Sequence, residues 1–141
     1  MAITRSNSLQ RPARRTLFLI VGDALAFIVF AAIGRRSHGE AAGLAAVSEV
    51  LLTAAPFMVA WFLVAPWLRA YDATVTASPR AMVLRTLLAW LVALPLGLGL
   101  RALIIGRFSP PSFAIVTFLA VCAILGGWRS AFAWLDRRGT S

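Results

Sequence analysis

The chain has 141 residues, 60% of them hydrophobic and only 13% charged, and its charge of +9 comes from 14 basic residues against 5 acidic ones. So apolar a balance excludes an ordinary soluble domain, and the length allows a single compact unit. The charges lie between apolar runs, so they read as topology and lipid-headgroup anchors and not as a nucleic-acid surface.

All the basic residues are arginine, and the absence of lysine excludes Schiff-base chemistry and a Walker-type phosphate lysine. Cys122 is the single cysteine, which excludes an intrachain disulfide and a multi-cysteine metal site.

The pattern predicts an all-α, polytopic membrane protein with four transmembrane helices. Residues 1–15 carry Arg5, Arg11, Arg14 and Arg15 without apolar periodicity and read as a basic cytoplasmic tail. The first helix is expected over about 17–34, where 18 apolar-rich residues rising 1.5 Å each nearly cover a hydrocarbon core of roughly 30 Å. Asp23 interrupts this run, which argues against a cleaved signal sequence. A second helix is expected over about 47–68, containing Pro56 and Pro66, and Pro56 is expected to kink it.

Ser78 and Pro79 are a natural N-cap and first position for a third helix over about 80–105, in which Pro95, Gly97 and Gly99 loosen the last turns. Ser109, Pro110, Pro111 and Ser112 turn the chain into a fourth helix over about 113–135. The four helices make up a domain over 16–136, and 137–141 form a basic C-terminal tail.

Ten arginines fall on the side of the termini and the second loop, and four (Arg35, Arg36, Arg101 and Arg107) on the other. This asymmetry places both termini inside, on the cytoplasmic side of the membrane. Trp67, Tyr71, Trp128 and Trp134 then fall at the inner interface as an aromatic belt.

Charged residues at the centre of a membrane helix cost about 2.5–3.5 kcal/mol each on insertion scales, so they need partners. Asp23, Arg85 and Arg129 lie roughly 8–10 Å below the inner surface by helix rise. They are expected to form an inner polar cluster in which Asp23 pairs with Arg129, Arg85 or both. Such a cluster serves as an interhelical clamp or as part of a proton or ion relay. At the outer end Arg35, Arg36, His38, Glu40, Glu49 and Arg101 are expected to form a polar cap. Glu49 and Arg101 are its natural ion pair, and the arginines offer a site for an anionic headgroup.

Trp61 and Trp90 lie deeper than the belt and either fill the core or, with His38, contact a flat lipophilic ligand such as a quinone, carotenoid or chlorin. Gly22 with Ala26, Gly97, and Cys122 with Gly126 permit close helix contact. No catalytic constellation and no metal-ligand set stands out.

The segment GRRSHGE at Gly34–Glu40, with Gly22-Asp23, Pro56-Phe57, Pro95-Leu96-Gly97 through Arg101, and Trp128-Arg129, resembles an uncharacterised, domain-of-unknown-function family of small four-helix prokaryotic membrane proteins. The resemblance implies the same fold and carries no activity.

The functional expectation is a non-catalytic accessory subunit of a larger membrane complex, of respiratory or photosynthetic type. The expected partners are the bilayer and other membrane subunits, with no nucleic acid. An oligomeric small-solute or ion transporter and a lipophilic-cofactor binder are the alternatives.

Overall fold

A computed structural model describes residues 4–37 and 43–139, with side chains from residue 13 onward except Ser37. Five helices follow in order: α1 (Thr4–Ser37), α2 (Leu44–Trp67), α3 (Ala73–Thr76), α4 (Pro79–Ile105) and α5 (Pro111–Arg138). Four of them contain spans of 24 to 28 residues, long and apolar enough to cross a membrane. At 1.5 Å per residue these reach about 36–42 Å, more than a hydrocarbon core needs. The protein is therefore a small multi-pass membrane protein with an all-helical, four-span bundle.

Helix ends follow local chemistry. Pro79 and Pro111 occupy the first turns of α4 and α5, where a missing N–H costs nothing. Ser78 caps α4 in an extended conformation, as expected, but without a side-chain hydrogen bond. Gly106 ends α4 in the left-handed region that glycine enters freely. At the end of α2 the same region is taken by Arg69, with φ of 57°. There the Arg69 N–H reaches Pro66 O and the Ala70 N–H reaches Ala65 O, the paired bonds of a Schellman turn.

The elements differ from the sequence expectation in several places: α2 begins at Leu44 and α5 continues to Arg138, into the segment expected as a tail. The basic segment ahead of the first span is helical from Thr4, because arginine, leucine and glutamine are good helix formers and extend a helix already nucleated in the span. The loop between α2 and α4 holds the short helix α3, started by the Asp72 carboxylate accepting from Thr74 N–H (3.0 Å). That bond, the Thr74 hydroxyl and Arg69 hold the Asp72 carboxyl below its ordinary 3.8.

Each spanning helix packs on two others, closing the ring α1–α2–α4–α5, with α2 against α4 the most extensive contact and α1 held less fully on both sides. The core is built from small and aromatic residues. Ala54, Ala60, Ala65, Ala89 and Ala93 are fully buried beside Phe27, Phe57, Trp61 and Trp90. Phe27 and Trp90 meet at a tilt of 59° with 5.5 Å between ring centroids, and Phe57 meets Trp90 edge-on at 6.1 Å.

Leucines and other large aliphatics point outward on every span, among them Leu25, Leu63, Leu88 and Leu119. This inversion suits a bilayer, where lipid tails solvate leucine as well as a core does and close packing favours small residues inside. Gly97 shows the consequence: a Cβ there would sit 2.6 Å from the Phe57 ring, so the absence of a side chain sets the approach of α4 to α2.

Candidate functional site

The loop after α2 turns back into the end of the bundle, burying Ala70, Val75 and Thr76. It meets Asp23 from α1 and Arg129 from α5, both with no exposed surface. Arg129 donates from Nε to Asp23 Oδ1 at 2.9 Å and from Nη2 to Oδ2 at 2.6 Å, a bidentate pair, and from Nη1 to the Ala70 carbonyl at 2.9 Å. Tyr71 donates its hydroxyl proton to Asp23 Oδ2 at 2.6 Å. The Trp61 indole N–H lies 3.1 Å from both Asp23 Oδ2 and the Tyr71 oxygen. The guanidinium also sits over the Tyr71 and Trp61 rings, at 4.7 and 5.1 Å from their centroids.

The Asp23 carboxylate thus accepts from four donors, close to the capacity of its lone pairs. A charge with no access to water is tolerable only when it is paired and hydrogen-bonded in this way. Burial, with the adjacent Asp23 carboxylate second, holds the Tyr71 phenol protonated well above its ordinary 10.0.

The expected inner cluster is therefore present between Asp23 and Arg129, and Arg85 is not part of it. Arg85 makes a long 3.4 Å bond to the Leu68 carbonyl instead, because the returning loop presents its carbonyls to that side of α4 before Asp23 is reached. Tyr71, expected in an interfacial belt, is drawn inward by the same loop. Trp67 is 89% exposed and Trp134 is about half exposed, as belt residues would be.

At the opposite end, the expected Glu49–Arg101 pair does not form. Glu49 pairs with Arg35 across α1 and α2. Arg101 donates to the Ser109 hydroxyl at 3.3 Å and stacks over Phe113 at 4.7 Å, bracing the α4–α5 turn. Helix α4 delivers Arg101 toward its own following turn, while α1 and α2 are adjacent at this level. Arg36 is exposed, and His38 and Glu40 lie outside the described residues, as does any convergence of the cap on them.

Trp61 and Trp90 are completely buried, and the Trp90 N–H is bound to the Phe118 carbonyl at 3.3 Å. Both fill the core and leave no ring face for a flat ligand. Among the described residues no group of three acidic, histidine or cysteine side chains is placed to hold a metal.

Sequence reasoning missed Trp61, Tyr71 and the Ala70 carbonyl as members of the site. Only the chain's single tyrosine, sitting beside two prospective helix ends, offered any signal.

Residues 20–132, which include both halves of the buried ion pair, match the model of a family described as protein of unknown function, DUF3054. The chain belongs to this family. No curated protein and no solved structure matches it.

Proposed function

We propose that this DUF3054 protein is a non-catalytic accessory subunit that helps assemble a larger bilayer complex. The observation that carries the reading is the saturation of Asp23. A carboxylate with no exposed surface that already accepts four hydrogen bonds, from Arg129, Tyr71 and Trp61, offers little to a substrate or a travelling ion. The most chemically charged point of the bundle is therefore occupied in holding α1, α5 and the loop together, and its outer faces remain for association. The same saturation weighs against transport along Asp23. The burial of Trp61 and Trp90 weighs against a flat cofactor between them.

Both termini are assigned to the cytoplasmic side on the strength of the arginine asymmetry, and the prokaryotic cytoplasmic membrane is the setting that the family resemblance implies. The test is extraction of the chromosomally expressed protein in a mild detergent, followed by native electrophoresis. Migration with a larger set of membrane subunits is expected, together with loss of that assembly when the gene is deleted. A stable particle containing this chain alone would overturn the proposal.

A further inference from the structure

On the outer side of the bundle, α1 and α5 do not close completely. A groove of about 700 Å3 runs between them, within the range of small-molecule sites, lined by Leu17, Val21, Leu25 and Val29 of α1 and by Ile124 and Trp128 of α5. Its floor exists because Gly22 has no side chain: a Cβ there would lie 2.0 Å from the Trp128 ring, which instead packs directly against α1. Arg14 lines the same groove at the α1 N-terminal end. It is exposed and has no ion-pair partner among the described residues, whereas its neighbour Arg15 is bound to Asp136.

The dimensions fit one leaflet. From Arg14 to Val29 the helix rises about 22 Å. Half a bilayer, with roughly 15 Å of hydrocarbon and a headgroup layer above it, has about the same depth. The groove is apolar over the acyl depth and positively charged at the headgroup level, as a single phospholipid requires.

We propose that this groove is a binding site for an anionic phospholipid of the leaflet at the α1 N-terminal end. The phosphate-bearing headgroup lies against Arg14, and one acyl chain lies along Leu17–Val29 over Trp128. The proposal stands apart from the assembly reading, since a lipid can occupy the groove whether or not other subunits bind elsewhere. Arg14 sets the headgroup preference, because an exposed guanidinium with no ion-pair partner among the described residues is placed to meet a phosphate and net negative charge. Gly22 sets the site itself, by letting the indole form its floor.

Fluorescence quenching tests this directly. In a Trp67→Phe, Trp134→Phe background the two buried tryptophans are shielded and Trp128 is the one that borders lipid. The protein is reconstituted in phosphatidylcholine containing increasing fractions of phosphatidylglycerol brominated at mid-chain. Saturable quenching at low mole fraction is expected, with brominated phosphatidylcholine requiring about five times more, the ratio corresponding to one arginine near a membrane surface.

Arg14→Gln should raise the phosphatidylglycerol midpoint to that of phosphatidylcholine without altering thermal unfolding, since the side chain is exposed and has no ion-pair partner among the described residues. Quenching that rises linearly with mole fraction, equal midpoints for the two lipids, or an Arg14→Gln variant with the parental midpoint would each overturn the proposal. So would protection of Trp128 from both lipids, which would mark the groove as covered by a second copy of the chain.

Discussion

Asp23→Ala tests the ion pair from its costly side. The substitution removes every acceptor that Arg129 has except the Ala70 carbonyl, and leaves a guanidinium with no exposed surface and no counter-charge. Breaking a buried pair in this way costs about 3–5 kcal/mol. Arginine has no escape, because it does not lose its proton in proteins.

Arg129→Met is the cheaper half of the cycle. The stranded carboxylate keeps the Tyr71 and Trp61 donors and can take up a proton, so a loss of about 2–3 kcal/mol is expected. Asp23→Leu combined with Arg129→Met removes both charges and should recover most of the stability, within about 1–2 kcal/mol of the parent. Reversible unfolding in mixed micelles, followed by circular dichroism for the parent, Asp23→Leu, Arg129→Met and their double variant, measures the coupling, with Asp23→Ala measured beside them. Additive losses, with a coupling below about 0.5 kcal/mol, would refute the reasoning. So would an Asp23→Ala variant no weaker than Arg129→Met.

Three further outcomes follow from single contacts. Gly97→Ala places a methyl 2.6 Å from the fully buried Phe57 ring and should cost about 1–3 kcal/mol in the same unfolding assay, whereas Gly99→Ala, whose Cβ meets nothing within 4 Å, should not. Arg69→Gly removes a left-handed non-glycine residue at the end of α2 and should raise stability by about 0.5–1 kcal/mol, the lost 3.6 Å pair with Asp72 being an exposed one of little weight.

Tyr71 gives a pH dependence. Its folded pKa lies above the unfolded 10.0, so the unfolded chain sheds the proton first, and stability is full below about pH 10 and falls as pH rises further. With one tyrosine in the chain, tyrosinate absorbance on alkaline titration should appear together with unfolding and not before it; Tyr71→Phe should remove the signal.

The four spans were legible because a bilayer demands about twenty apolar residues in succession and the chain supplies them. The Asp23–Arg129 pair was legible for a related reason: helix rise is constant, so depth can be counted from either end, and a lone carboxylate within a span needs a cation at its own level. Depth does not choose between Arg85 and Arg129, or between Arg35 and Arg101 as the partner of Glu49. Those choices depend on the order of helices around the bundle and on rotation about each axis. Helices apolar on all sides give little periodicity from which to read either. The same lack of a polar face left Trp61 and Trp90 equally suited to core or ligand. Ala70 and Tyr71 were hidden for another reason, since their role arises from a loop folding back between helices, and no repeat in the sequence marks that.

Helix α1 shows why the charges are tolerated. Lipid supplies no hydrophobic force to press one apolar helix against the others, so α1, with its smaller contacts and its glycine against Trp128, needs other means to hold register. It is tied at three levels: Arg15 to Asp136 at 2.6 Å and to the Thr76 carbonyl at 2.9 Å, Asp23 to Arg129, and Arg35 to Glu49. The ties reach α5 twice, α2 twice, at Glu49 and Trp61, and the returning loop at both Thr76 and Tyr71. A slip of α1 by one turn, about 5.4 Å, would break all three together and strand the middle charge in the membrane interior. The buried pair thus makes a single position of α1 far better than its neighbours, which general apolar contact in a bilayer cannot do.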